Sequence, residues 1–104
     1  MFYVSDSPNL LGALQSAELF MLVVDLEAFQ DVIRGEKLHS RVTRQSSATI
    51  LSKLLKRKIE VSKTELKPDE IRKGDRVILL LPGEIKRKGE AKGEMTIGLF
   101  MALV

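Results

Sequence analysis

The 104-residue sequence predicts an α+β domain: a mixed central sheet of about five strands covered by two main helices. Three observations carry this. Short apolar runs of strand length stand near both ends of the chain. Two amphipathic stretches of helical period lie between them. The resulting order, strand, helix, helix, then mostly strands, departs from strict βαβα alternation.

The elements follow in order. Phe2–Ser5 is rich in β-formers and leads into Asp6-Ser7-Pro8-Asn9, a turn composition. Residues 10–18 fit one helical turn or an irregular connection. Leu19–Val24 is a continuous apolar run, which predicts a strand buried on both faces. Asp25 can cap a helix over 26–34, with Leu26, Phe29 and Ile33 on one stripe and Gly35 just past its end. Residues 36–43 read as a polar connection. Thr43 is a candidate N-cap for a second helix over 44–57, whose stripe is Ala48, Leu51, Leu54 and Leu55. Ile59–Ser62 alternates like a strand. Leu66–Ile71 reads as a turn or one helical turn, and Gly74-Asp75 as the turn before a buried strand over Arg76–Leu81. Residues 84–94 are charged and hold two glycines, which predicts a loop. Met95–Val104 is a last strand, whose edge would need covering.

Composition bounds the function. No cysteine is present, so disulfides, iron–sulfur clusters, thiolate zinc sites and a cysteine nucleophile are excluded. The chain fits a single domain in a reducing cytoplasm. No apolar run is long enough for a membrane-spanning helix, and residues 1–33 carry no Lys or Arg that could open a secretory signal. No feature calls for an obligate protein partner or a cofactor.

The formal charge of +3 conceals an asymmetry. Residues 1–33 hold five acids and no bases. Residues 34–63 hold nine bases against Glu36 and Glu60, and the remainder is close to neutral. Such a block fits an anionic partner, or simply a solvated basic face.

Phosphate-binding glycine loops and clusters of metal-ligand spacing are absent from the sequence. The one histidine, His39, lies in a polar stretch and fits a surface position or a proton-transfer role. The more informative segment is Ser40–Ala48. At the start of the second helix, unpaired backbone N–H groups would stand beside the hydroxyls of Thr43, Ser46 and Ser47, the amide of Gln45, and the guanidiniums of Arg41 and Arg44. That set can hold phosphate oxygens; plain N-capping by Thr43 or Ser46 is the alternative. Ser5, Asp6, Ser7 and Asn9 form a second polar cluster after the first strand. It fits either a ligand loop or a turn chosen for its backbone angles.

The run Arg44-Gln45-Ser46-Ser47-Ala48-Thr49-Ile50-Leu51-Ser52-Lys53-Leu54-Leu55 resembles the pattern Gly-His-x-Ser/Ala-Thr-Ala-x-Leu-Leu-Ser-Lys-Leu-Leu of the viral ring nucleases, which act as type III anti-CRISPR proteins in archaeal viruses and have prokaryotic relatives. Tyr3-Val4-Ser5-Asp6-Ser7 resembles that family's Tyr-Leu-x-Asn-Ser, and Lys73-Gly74-Asp75 precedes an apolar strand in the same way. Length and element order agree over nearly the whole chain. The resemblance implies a homodimer that binds cyclic tetra-adenylate in a cleft between subunits and cleaves it without metal. The family's catalytic His falls on Arg44, its preceding Gly on Thr43, and its first-loop Asn on Asp6. Its Arg-Leu-Pro-Glu-Gly motif has Arg87 and Glu90 as nearest counterparts.

The expectation is therefore a cyclic oligoadenylate-binding protein. Cleavage by attack of a ribose 2′-OH would have Arg44 steadying phosphorane charge and His39 standing in as acid or base. The other readings are a non-catalytic sponge for the ligand and a small basic nucleic-acid-binding protein. For the last, residues 34–63 offer no aromatic residue on which a base could stack.

Overall fold

The computed structural model describes residues 1–85 and 94–104. Five strands form one mixed sheet in the order β2-β5-β4-β1-β3. They are β1 (Phe2–Ser5), β2 (Leu19–Leu22), β3 (Leu38–Ser40), β4 (Arg76–Ile85) and β5 (Glu94–Leu103). Strand β1 lies between β4 and β3 and runs parallel to both, while β5 is antiparallel to β4 and β2. The helices are α1 (Leu11–Gln15), α2 (Leu26–Ile33) and α3 (Gln45–Leu55), with single 3₁₀ turns at Pro8–Leu10 and Pro68–Glu70.

Alternation along β1 divides the core. Phe2 and Val4 point to the face that α2 and α3 cover, where they meet Phe29, Ile33, Ala48, Leu51, Leu55, Ile78 and Leu80. Tyr3 points to the opposite face, with Leu10, Leu14, Leu66, Val77 and Leu79. Both main helices thus lie on one side, as the sequence implies. The short α1 and the segment around Leu66 close the other.

Several elements have the expected local causes. The Asp25 side chain accepts the Ala28 N–H at 3.1 Å and caps α2. Gly35, at φ +78°, takes the left-handed position that ends it. Gly74, at φ +93°, turns the chain into β4, and Asp75 closes that turn by accepting the Arg72 N–H.

Four expectations need correction. Leu19–Val24 yields an edge strand, not a doubly buried one: Leu19, Met21 and Leu22 are all exposed. The polar stretch 36–43 contains β3, because Leu38–Ser40 finds a partner in β1. Ile59–Ser62 is not a strand. It runs beside β3, held at one end by Ser62 N–H on the Val42 carbonyl and by Ser40 Oγ on the Glu60 carbonyl. The last strand is not an edge either, since β5 sits between β2 and β4. Most of the expected loop at 84–94 lies outside the described residues, while Glu84, Ile85 and Glu94 extend the two long strands.

The core reading has a direct check. Leu51 is fully buried between α3 and the sheet. Leu51→Ala should lower the unfolding free energy by about 2–5 kcal/mol, measured by denaturant titration. A loss well under 1 kcal/mol, roughly what a surface change produces, would mean that α3 does not pack there.

Candidate functional site

The carboxyl ends of the parallel strands lie at one end of the sheet. Ser5 of β1 is level with Leu79 of β4, and Val4 with Ser40 of β3. The chain leaves β1 through Asp6 and leaves β3 through Arg41–Arg44 into α3. Two segments 37 and 38 residues apart in sequence therefore meet here.

Asp6 joins them. One oxygen of its carboxylate accepts the Thr43 N–H at 3.1 Å, and the other accepts the Arg44 N–H at 3.3 Å and Arg44 Nε at 3.2 Å. Arg44 Nη2 donates to the Asp6 carbonyl at 3.1 Å. Thr43 Oγ1 lies 3.5 Å from the same carboxylate. Asp6 is 1% exposed, so without these donors it would be a costly buried charge. Burial pushes its pKa up. The Thr43 N–H and the Arg44 guanidinium outweigh that and hold it below the ordinary carboxylate value.

The start of α3 is thus held from outside its own sequence, through the N–H groups of the two residues that precede it. Thr43 was the expected cap, but the residue at that position is Arg44, whose side chain does not cap. The first intrahelical bond is Ala48 N–H to the Arg44 carbonyl at 3.1 Å, so the N–H groups of Gln45, Ser46 and Ser47 precede it. A helix start favours an anion, and here the protein's own carboxylate supplies one at its rim. Behind it, Ser47 is wholly buried and its hydroxyl makes no hydrogen bond of good geometry.

The other expected site residues divide into three groups. Thr43, Arg44, Gln45 and Ser46 are exposed around the helix start, and the Arg44 side chain is 52% accessible, enough to meet a ligand on its outer edge. Ser5 and Ser7 are buried beneath them: Ser5 Oγ accepts the Ser7 N–H, and Ser7 Oγ donates to Glu65. Asn9 is exposed in the following 3₁₀ turn.

Arg41 is close in sequence but engaged elsewhere. Its guanidinium meets both Glu70 oxygens at 3.0 Å and the carbonyls of Thr64 and Glu65. His39 is brought to a different place. It stands mid-strand, with its ring centroid 6.2 Å from that of Tyr3, and lines a polar groove with Arg57–Ser62. None of the residues around Asp6 and Arg44 lines that groove. Arg87 and Glu90 lie outside the described residues.

Glu65 and Glu70 were missed by sequence reasoning. They secure Ser7 and Arg41 respectively, and only the fold brings them near. A capping pattern is visible in retrospect, since the Lys67 N–H donates to Glu70 three residues on.

No protein-family model matches the chain, and no curated protein matches it. Among the described residues no helix is long and apolar enough to cross a membrane.

The site makes a pH prediction. A carboxyl with a depressed folded pKa stabilises the fold above its unfolded pKa, about 3.9, and that contribution vanishes as pH falls through the folded value. Asp6→Asn should therefore be less stable than the parent at neutral pH, by about 1.5–3 kcal/mol. The gap should shrink in acid below the ordinary Asp pKa. Denaturant titrations at neutral and acid pH check this; a gap that stays constant would mean Asp6 is not held ionised by the α3 start.

Proposed function

We propose that this protein binds cyclic oligoadenylate, with cyclic tetra-adenylate the ring size, at the carboxyl end of its parallel strands and opens it without a metal ion. The observation that carries this reading is the junction of Tyr3–Ser7 with Arg44–Leu55. These two segments bear the resemblance to the viral ring nucleases, and one buried carboxylate ties them together.

The chemistry asked of the residues is limited. The ligand's ribose 2′-OH attacks the adjacent phosphorus in line and loses its proton. The bond to the 5′-oxygen breaks, and the products carry a 2′,3′-cyclic phosphate and a 5′-OH. The exposed edge of Arg44 steadies the phosphorane charge, with the N–H groups of Ser46 and Ser47 nearby. His39 lines a separate groove, so the reading gives it no contact with the reacting phosphate. Acid–base assistance ordinarily contributes about 10²–10⁴-fold, and its lack makes the expected turnover slow. Binding without cleavage is the second reading. It is favoured by the commitment of Arg44 Nε and Nη2 to Asp6.

A basic nucleic-acid-binding role fits less well. Much of the positive block is already engaged: Arg41 with Glu70, Arg44 with Asp6, and Arg57 with the carbonyls of Ile33 and Glu36.

Incubation with labelled cyclic tri-, tetra- and hexa-adenylate in EDTA, followed by chromatography, tests the reading. The expected result is retention of the tetra-adenylate with slow conversion to cyclic-phosphate products. Arg44→Ala should weaken binding by about 1.5–3 kcal/mol, and His39→Ala should change the rate little. No retention of any ring would overturn the reading. Retention with no product would establish the sponge.

The proposal includes a homodimer, two copies closing on one ligand. Light scattering at micromolar concentration, with and without ligand, should report twice the chain mass; a monomer under both conditions would count against it.

A further inference from the structure

One open edge of the sheet, among the described residues, is the outer side of β2. Sheet order leaves this strand with one neighbour, β5. The Val23 N–H donates to the Leu99 carbonyl at 2.7 Å, which sets the parity of the pairing. The N–H and C=O groups of Phe20 and Leu22 consequently point away from the sheet.

Edge strands normally carry a lysine, a proline or a bulge that discourages further pairing. Leu19–Val24 carries no charge and no proline. Leu19, Met21, Leu22 and Val24 are 43%, 45%, 51% and 84% exposed, far from the buried strand that their composition implies. Beside this edge lies an apolar groove of about 230 Å³ between β2 and α2, lined by Met21, Val23, Ala28, Phe29, Val32 and Met101. Met21 and Val23 face α2, so a further strand set against β2 would direct alternate side chains into this groove.

Among the described residues that line this groove or adjoin its lining in sequence, the charged side chains nearest are acidic. Asp25 lines the groove, and Glu18 and Glu27 are exposed on either side. Residues 1–33 contain no base, and the next one, Arg34, is taken up by Asp31 at 2.9 Å.

From the open backbone edge, the apolar groove and the acidic rim, we infer that β2 and α2 form a docking site for an extended protein segment, apolar at alternate positions and flanked by Lys or Arg. The segment adds as a sixth strand. Its backbone pairs with Phe20 and Leu22, its apolar side chains fill the groove under α2, and its flanking bases meet Glu18, Asp25 and Glu27. The site stands apart from the Asp6–Arg44 cluster and does not rest on the cyclic oligoadenylate reading.

Fluorescence anisotropy with two labelled peptides tests it, both with an alternating Val-Thr core, one flanked by lysines and one by glutamates. The lysine peptide should bind about tenfold or more tightly than the glutamate peptide, and the difference should shrink in high salt. Leu22→Pro removes an N–H that makes no bond within the sheet, so the fold should persist while the peptide is lost. Val32→Asp, on the exposed wall of the groove, should weaken binding with unchanged melting. If either variant fails to fold, the other and the peptide comparison still decide. No binding of either peptide, or equal binding of both, overturns the inference. So does a dimer that either variant dissolves, because the occupant would then be a second copy.

Discussion

A single buried carboxylate, that of Asp6, organises one end of this molecule. It receives backbone N–H groups from Thr43 and Arg44 and the guanidinium of Arg44. An isolated ionised carboxyl in such a position would lose several kcal/mol of solvation, by order-of-magnitude reasoning. The donors replace the water it gives up, and for that reason it stays charged. Because those donors belong to the start of α3, the carboxylate also fixes where α3 begins relative to β1. The direction of the Arg44 side chain follows from the same contact.

The same joint changes how the basic block is to be understood. By sequence, residues 34–63 carry a large positive excess. In the fold, three of the arginines serve as cross-links: Arg41 holds the Pro68–Glu70 turn, Arg44 holds Asp6, and Arg57 holds the carbonyls that end α2. Arginine suits these tasks because its planar fork satisfies several acceptors at once. The lysines Lys53, Lys56 and Lys58 are exposed. The charges of Arg41 and Arg44 are thus offset by carboxylates, and the field left for an anionic ligand rests largely on exposed lysines such as Lys53 and Lys56.

Local signals were legible wherever the cause of a structure is local. Asp25 caps α2 because its side chain reaches the Ala28 N–H three residues on, a relation written in the sequence. Gly35 and Gly74 mark two of the positive-φ positions for an equally local reason. The start of α3 follows no such rule: Thr43 has the right chemistry for a cap, but Arg44 stands at that position without capping, and an acid 37 residues before Thr43 holds the approach. Likewise Ile59–Ser62 alternates more convincingly than Leu38–Ser40. Pairing with β1 nevertheless falls to the latter, since strand formation depends on a partner as much as on composition. Of the candidate residues, Asp6, Thr43, Arg44, Gln45, Ser46 and Ser47 come together at the start of α3. The division of the candidates into those facing solvent, those buried beneath, and those engaged elsewhere was not visible.

The amino-acid sequence by itself determined the α+β class, the two helical stripes, the buried strand β4 and the concentration of polar chemistry at Ser5–Asn9 and Ser40–Ala48. Each follows from periodicity or residue type within a short window, where propensity and patterning act directly. Only the tertiary structure decided that the most apolar run, Leu19–Val24, would lie at an open edge. Only it decided that Asp6 would answer Arg44. Sheet order and long-range ion pairs depend on which surfaces meet after the chain has turned back on itself. An apolar strand carries the same side chains whether one neighbour covers it or two, so nothing within the strand's own residues could distinguish them.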